Sequence, residues 1–185
     1  LTTNPRYILN YKLIYKTENF NNLLQRSNSK EKIFSFSEKR TKDFWGAKDK
    51  SKFEQMKLSV IRTKIVEKYL KNGVIKLEGK GWFKNLNRQQ LPDWHLDKLA
   101  QVNQLFLFGL ATENSDVSYY ITEKFFDVIF SGSIPLIISS NEINLNFFNK
   151  VFNINLKDED PLKVLKTNVL KGFNIILFKD QVNSI

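Results

Sequence analysis

The sequence of 185 residues contains no cysteine, and this absence removes several kinds of chemistry at once. Without thiols the chain can form no disulfide, no thiolate metal site and no cysteine nucleophile. Its single histidine, His95, cannot assemble a histidine-based zinc centre with other histidines, so we expect a structural role for it. The sequence therefore argues against both a disulfide-stapled scaffold and a zinc-binding module.

Long apolar runs are also missing, since no stretch approaches the roughly 20 residues of a membrane-spanning helix. No signal peptide is evident either. These two absences predict a cytoplasmic protein, and they leave open a peripheral attachment to the inner face of a bacterial membrane. The first residue is Leu1 and not methionine, so we expect further residues upstream.

Turn-forming residues are scarce, with seven glycines and four prolines against sixteen phenylalanines. Together with a hydrophobic fraction of 42%, this composition predicts long regular elements around a substantial core. The net charge is +10, but the positive residues are scattered along the chain. Even the densest basic stretch, residues 39–52, contains Asp43 and Asp49. We therefore interpret the charge as solvated surface and expect no nucleic-acid partner.

Short apolar runs alternate with amphipathic segments along most of the chain. The runs predict strands over residues 32–37, 74–77, 105–110, 134–138, 151–156 and 173–178. The segments between them predict helices over residues 53–70, 95–104, 122–130 and 162–170. This alternation is typical of an α/β fold, specifically a Rossmann-like parallel sheet with helices on both faces. Loops 37–45, 78–88 and 111–122 would then meet at the carboxyl ends of the strands, where such sheets bind ligands.

The chain divides, on this interpretation, into an N-terminal segment or linker over residues 1–30 and one domain over residues 31–185. The acidic run 158–160 precedes Pro161 and an apolar helical pattern. We interpret it as the acidic start of that helix and not as a metal site.

The most specific pattern consists of segments 113–115 (Glu-Asn-Ser), 120–124 (Tyr-Ile-Thr-Glu-Lys) and 131–137 (Ser-Gly-Ser-Ile-Pro-Leu-Ile). A strand ends in a polar loop, and Thr122 is placed to cap the helix that follows. Free N–H groups and the positive end of the helix dipole would point toward that loop. Lys124 opposes the dipole, which makes sense beside a bound phosphate, and Glu123 can accept hydrogen bonds from ligand hydroxyls.

This spaced pattern resembles the signature of the α-1,3-fucosyltransferases, glycosyltransferase family 10. The resemblance implies that residues 31–185 are the C-terminal, donor-binding domain of a GT-B type enzyme, with GDP-fucose as donor. It also implies inverting transfer of fucose to an N-acetylglucosamine or glucose unit of a glycan. In the family the general base belongs to an acceptor-binding domain, which we expect upstream. The chain alone is then expected to bind donor without transferring fucose.

The resemblance also implies roles for individual residues. Glu123 would face the fucose as the catalytic residue. The donor-binding residues would be Arg62 and Lys124 at the phosphates, Lys80 in a Gly-Lys-Gly turn, Asn114 and Tyr120 at ribose or guanine, and Glu113 and Thr122 in shaping the loop. No metal or other cofactor is required by these residues, although a loosely bound divalent ion stays open. The sequence departs from the family pattern at Glu38, Glu78 and Thr112, which leaves the details of base and sugar recognition open.

Three alternatives remain at this point. The chain could use another nucleotide sugar, which competition among GDP-, UDP- and CMP-sugars would reveal. It could be a non-catalytic remnant that binds a nucleotide or carbohydrate, which measured turnover would exclude. It could be a basic nucleic-acid-binding module, whose affinity for oligonucleotides would fall steeply with salt.

Overall fold

Within the residues that the structure describes, five short strands form one parallel sheet in the order β2-β1-β3-β4-β5. The structure is a computed structural model that describes residues 4–15, 21–41, 50–82, 92–157 and 174–185. The strands are β1 (Ile33–Phe36), β2 (Ile75–Glu78), β3 (Phe108–Leu110), β4 (Ile134–Ile137) and β5 (Ile154–Asn155). The α-helices of the described residues are α1 (Pro5–Ile14), α2 (Lys50–Lys71), α3 (Trp94–Val102), α4 (Glu123–Phe130), α5 (Glu142–Phe148) and α6 (Ile175–Asn183).

The strand order changes direction once. From β1 the chain passes through α2 to β2 on one side, then through α3 back across β1 to β3, and onward to β4 and β5. The register pairs Ile33 with both Ile75 and Phe108, so β1 lies between β2 and β3. Because such crossovers are right-handed, the reversal places α2 on one face of the sheet and α3, α4 and α5 on the other. The predicted α/β class with a parallel sheet is confirmed.

The core forms where α4 packs against the central strands. Phe125 and Ile129 on α4 are fully buried, and each such side chain contributes about 1.5–3 kcal/mol through burial. Gly109 in β3 makes this approach feasible. A Cβ atom at Gly109 would lie 2.5 Å from Val128 Cγ2 and 2.7 Å from the Phe34 ring. The residue must therefore be glycine for strand and helix to pack this closely.

The first thirty residues contribute to packing more than a linker would. Pro5 occupies the first turn of α1, and the helix packs on α3 and α4. Tyr11 on its inner face and Leu23 beyond it are buried. The buried Arg26 donates hydrogen bonds to Phe106 O (3.2 Å) and Gly132 O (2.6 Å). The domain boundary at residue 31 stays a prediction, but the described residues of the segment interpreted as a linker make core contacts.

The predicted strand over residues 173–178 is wrong, because α6 occupies Ile175–Asn183. The Asn174 side chain caps this helix by accepting hydrogen bonds from Ile176 N (2.9 Å) and Leu177 N (3.1 Å). Phe178 and Val182, four residues apart, then face the core. A short apolar run fits a buried strand and a buried helix equally well, and here the cap decides for the helix.

Other predicted elements are shorter than expected or lie elsewhere. The strand predicted over residues 105–110 is confined to Phe108–Leu110, and that over 151–156 to Ile154–Asn155. The predicted helix 162–170 and the acidic run 158–160 lie outside the described residues. Among the helices that the structure describes, none has the length and apolar character needed to cross a bilayer.

Candidate functional site

The reversal of strand order between β1 and β3 defines where a ligand site is expected. At such a point the two loops that leave the carboxyl ends of neighbouring strands diverge, and the crevice between them is the usual ligand position in open α/β sheets. Here these loops are residues 37–41 after β1 and residues 111–122 after β3. The sequence-predicted site residues concentrate on the second loop and on the first turn of α4.

Glu113 organises this second loop, residues 111–122, which we call the Glu113 loop. Its carboxylate is 4% exposed and accepts hydrogen bonds from Thr122 N (2.6 Å), Thr122 Oγ1 (2.8 Å) and Lys124 Nζ (3.1 Å). A carboxylate at this end of α4 also interacts favourably with the helix dipole. Thr122 occupies the predicted N-cap position, but its side chain makes no capping bond within the helix. Its hydroxyl binds Glu113 instead.

Lys124 lies between two carboxylates. Besides Glu113, its ammonium contacts Thr122 Oγ1 at 2.7 Å and Glu123 Oε1 at 3.4 Å. Burial opposes the charge on this ammonium, but the attraction of Glu113 and Glu123 outweighs it and raises the pKa of Lys124. The lysine is therefore charged and held at the start of α4. Together, the two carboxylates and Lys124 carry one net negative charge.

Arg62 on α2 stabilises the Glu113 loop through two hydrogen bonds. Its side chain, on α2, is buried and donates to Thr112 O (2.9 Å) and Asn114 Oδ1 (3.0 Å). Burial lowers the pKa of Arg62 to about 10, partly offset by the attraction of Glu113, so the guanidinium remains charged at neutral pH. Its Nε and the buried Thr112 hydroxyl have no partner among the described residues. Arg62 thus fixes the loop, while its Nε–H remains unpaired among the described residues.

The remainder of the loop is tied to the neighbouring strand by Asp116. Its carboxylate accepts from Ser139 Oγ (2.6 Å) and Ser140 N (2.6 Å). Burial raises the pKa of Asp116, but these hydrogen bonds outweigh it and lower the pKa overall. Tyr119 adopts φ +64°, a left-handed conformation that costs about 1–2 kcal/mol. Tyr120, the predicted ribose or guanine contact, is partly exposed beside it.

The turn that contains Lys80 lies beyond β2, on the far side of β1 from Glu113. Gly79 has φ +142°, and a Cβ atom there would lie 2.2 Å from Ser37 O. The glycine therefore allows the ends of β1 and β2 to approach, which is a structural role. Lys80 itself is exposed and takes no part in the hydrogen bonds of the Glu113 cluster. The structure brings together the other predicted residues but not this one.

Sequence reasoning missed a buried polar network one turn further along α4. Asp127 is 1% exposed and accepts from His95 Nε2 (2.8 Å) and Tyr11 Oη (2.7 Å) as well as from Lys98. The His95 Nδ1 atom lies 3.1 Å from Asn10 Nδ2, which fixes the ring in this orientation. The structural role expected for His95 agrees with this position.

The charges in this network stabilise one another. Burial would raise the pKa of Asp127, but the attraction of Lys98 and the hydrogen bond from His95 outweigh it and lower the pKa. Burial raises the pKa of Tyr11, as does the charge of Asp127, so the phenol stays protonated and donates. In the sequence, the signal that could have indicated this network is Asp127, a carboxylate among the apolar residues that follow Lys124 in the helix.

A pocket of about 390 Å³ lies where α3 and α4 meet the ends of β1 and β2, and we refer to it as the α3–α4 pocket. Its lining includes Phe36, Glu38, Glu78, Trp94, Lys98 and Glu123. A second pocket of about 560 Å³ lies on the α2 side of the same sheet edge, beside Leu58, Ile61 and Ile138. The two pockets lie on either side of the Glu113 loop.

A groove of about 580 Å³ lies away from the sheet edge. It lies between α1 and α4 and is lined mainly by aromatic side chains, among them Tyr15, Phe126 and Phe130. Its charged lining residues are Lys12 and Lys150. The groove contains none of the carboxylates that are concentrated at the sheet edge, so it lacks the convergent polar groups of a small-molecule site. Among the described residues no group of acidic or histidine side chains is arranged to hold a metal ion.

The family model described as "Glycosyltransferase family 10 (fucosyltransferase) C-term" matches residues 38–169, which is more than half of the chain. The matched range begins two residues after β1 and contains the Glu113 loop, α4, the lining residues of the α2-side pocket and most of those of the α3–α4 pocket. No curated protein matches the sequence.

Proposed function

Because the chain belongs to glycosyltransferase family 10, the fucosyltransferases, we propose that its sheet edge between β1 and β3 binds GDP-fucose. The observation that carries this proposal is the Glu113–Thr122–Lys124 cluster at the start of α4, with Arg62 directly beneath it. It combines a helix N-terminus with two cations at the position where open α/β sheets bind nucleotides.

The diphosphate is the group that this cluster suits best. The first N–H groups of α4 have no partner within the helix and point toward the loop. Lys124 contacts two carboxylates. An incoming phosphate can therefore replace Glu123 as a partner of the ammonium, while Glu113 keeps its hydrogen bond from Thr122. Arg62 is buried and holds the loop, and its charge lowers the energy of an anion nearby without needing to touch it.

The two pockets suit the two ends of the donor. The α2-side pocket has an apolar floor, formed by Leu58, Ile61 and Ile138, and lysines 57 and 157 at its rim. A flat, largely apolar nucleobase fits this floor, with its ribose near Asn114 and Tyr120. The α3–α4 pocket has carboxylates that accept hydrogen bonds from hydroxyls, which suits the fucose.

The reaction that we propose is an inverting displacement. A hydroxyl of an N-acetylglucosamine or glucose unit attacks the anomeric carbon, a new C–O bond forms, and the bond between that carbon and the diphosphate oxygen breaks. GDP leaves with the electron pair, and the hydroxyl proton passes to a general base that the family resemblance assigns to the acceptor-binding domain. Glu123 is placed to stabilise positive charge on the sugar in the transition state, and Lys124 the negative charge on the departing diphosphate.

The test is a calorimetric titration of the chain with GDP, UDP and CMP. We expect GDP to bind most tightly. A charge-assisted hydrogen bond contributes about 1.5–3 kcal/mol, so Lys124→Ala should weaken GDP binding at least about tenfold. The matched control is Lys76→Ala, which removes an exposed lysine from the same sheet. The proposal fails if Lys124→Ala binds GDP as tightly as the unchanged protein does.

A tighter affinity for UDP or CMP than for GDP would favour another nucleotide sugar as donor. Transfer is assayed in parallel with GDP-fucose and with N-acetyllactosamine and lactose as acceptors. Nucleotide binding without transfer would agree with a donor-binding half, whereas transfer by the chain alone would contradict the expectation that the acceptor domain is required.

A further inference from the structure

Lys98 is a buried cation whose position is not explained by the stability of the fold. Its residue is 6% exposed, and its ammonium binds Asp127, which is more deeply buried still. Moving such a pair out of water is costly, and apolar side chains of similar volume would often stabilise a core as well or better. A buried lysine in this position therefore invites a functional explanation.

The hydrogen bonds of the pair are distributed unevenly. Asp127 is well satisfied, because His95 and Tyr11 donate to one oxygen and Lys98 to the other. A lysine ammonium has three N–H donors. Within the part of the chain that the structure describes, Asp127 is the only hydrogen-bonding partner of Lys98, and the Phe36 ring lies 5.6 Å from its Nζ. Two donors of a nine-tenths buried group are thus unused.

Lys98 also lines the α3–α4 pocket, together with Phe36. Its ammonium is held at this pocket by Asp127 of α4. Asp127 in turn accepts hydrogen bonds from His95 and from Tyr11. The position of the ammonium is therefore determined by α1, α3 and α4. Such rigid support is what a residue that must discriminate between ligands needs.

The charges of the pocket indicate which part of the donor Lys98 meets. Three carboxylates line it, those of Glu38, Glu78 and Glu123, against the ammoniums of Lys98 and Lys124, and Glu38 also pairs with Arg40. Both ammoniums already contact a carboxylate. A diphosphate beside Lys98 would add negative charge where carboxylates outnumber cations, whereas beside Lys124 it also meets the N-terminus of α4. A neutral group rich in hydroxyls adds none, and it can donate to the carboxylates and accept from Lys98.

We propose that Lys98 is a specificity-determining residue for the transferred sugar. Its ammonium, held by Asp127, donates a hydrogen bond to a hydroxyl or ring oxygen of the sugar in the α3–α4 pocket. This inference rests on the proposed function and deepens it, because it separates recognition of the sugar from recognition of the nucleotide. Lys124 would act on the diphosphate and Lys98 on the sugar alone.

The experiment measures the affinities of GDP and GDP-fucose for the same variants by calorimetry. Lys98→Met should leave GDP affinity within about twofold of the unchanged protein and weaken GDP-fucose binding about tenfold or more. Lys124→Met should weaken both ligands. The control Lys76→Met should weaken neither. An equal loss for both ligands in Lys98→Met, or no loss for either, would overturn the proposal.

Because Lys98→Met leaves a buried carboxylate without its cation, the double variant Lys98→Met/Asp127→Asn is measured alongside it. This variant removes both charges and should show the same selective loss of GDP-fucose affinity. If both the single and the double variant fail to fold, as judged by far-UV circular dichroism, the ion pair serves the stability of the fold and the proposal is overturned. Failure of the proposed function would look different, since the unchanged protein would then bind neither GDP nor GDP-fucose.

Discussion

Two carboxylate–lysine pairs lie one helical turn apart at α4, and they are assembled in different ways. Glu113 and Lys124 form the pair at the sheet edge, and Asp127 and Lys98 form the buried pair. The partners of Glu113 are 9 and 11 residues away in the chain. Those of Asp127 are 29, 32 and 116 residues away. The first pair is local, and the second joins three helices.

This difference has consequences for what each pair can do. The side chain of Lys124 is 18% exposed and that of Lys98 is 8% exposed. A local, partly exposed pair can exchange one partner for a ligand while Glu113 keeps its bonds to Thr122. The buried pair cannot be rearranged without disturbing the packing of α1, α3 and α4. We therefore expect the first pair to govern binding of the nucleotide, and the second to hold Lys98 rigidly at the pocket that we assign to the sugar.

The largest expected effect comes from breaking the buried pair. Asp127→Ala leaves Lys98 as an uncompensated buried charge and removes the acceptor of His95 and Tyr11. Removing one partner of a buried ion pair typically costs about 3–5 kcal/mol, so the free energy of unfolding should fall by that amount in urea titrations. Lys124→Ala, its counterpart at the sheet edge, should cost less, because the Glu113 carboxylate keeps its hydrogen bonds from Thr122.

The control for this comparison is Asp180→Ala, which removes an exposed carboxylate on α6. It should change the free energy of unfolding by less than about 0.5 kcal/mol. If Asp127→Ala and Lys124→Ala destabilise the protein equally, the distinction between a rigidly held buried pair and a ligand-exchanging pair is wrong.

Acidification should also lower the free energy of unfolding through the buried pair, by less than Asp127→Ala does. The pKa of Asp127 in the folded protein is lowered from its ordinary 3.8. Below pH 3.8 the unfolded chain therefore takes up a proton at this position before the folded protein does, and stability falls as the pH falls. The stability that Asp127 contributes is fully present only above its unfolded pKa. Asp116, whose pKa is also lowered, adds to the same acid loss.

The measurement is the free energy of unfolding from pH 6 to pH 2, for the unchanged protein and for Asp127→Asn. The variant should start lower and lose less stability on acidification, since it no longer titrates at this position. Parallel curves would mean that Asp127 has the same pKa in the folded and unfolded states, against the account given for the buried pair.

The contrast between local and remote partners also explains what could be predicted from the sequence. The family predicted from residues 113–137 is confirmed, as is the parallel sheet. Glu113, Thr122 and Lys124 were identified together because their contacts lie within one short stretch. The pair of Asp127 and Lys98 was missed because its partners are distant in sequence, and spacing carries no information about them.

Local patterns failed where two structures satisfy them equally. The run 173–178 was predicted as a strand, although Asn174 caps a helix there. The side chain of Thr122 was expected to cap α4, but its hydroxyl donates a hydrogen bond to Glu113 instead. The burial of Arg62 against the loop could not be predicted from an amphipathic pattern, because that pattern does not reveal which neighbour a helix face meets.

The most direct test of the central claim is amide hydrogen exchange with and without GDP. The first N–H groups of α4 lack helical partners, and the proposed diphosphate would bind them. GDP should slow exchange in peptides that cover residues 111–126, and leave peptides from the aromatic groove around α1 unchanged. Unchanged exchange over residues 111–126 in the presence of saturating GDP, or protection confined to α1, would contradict the assignment of this sheet edge as the nucleotide site.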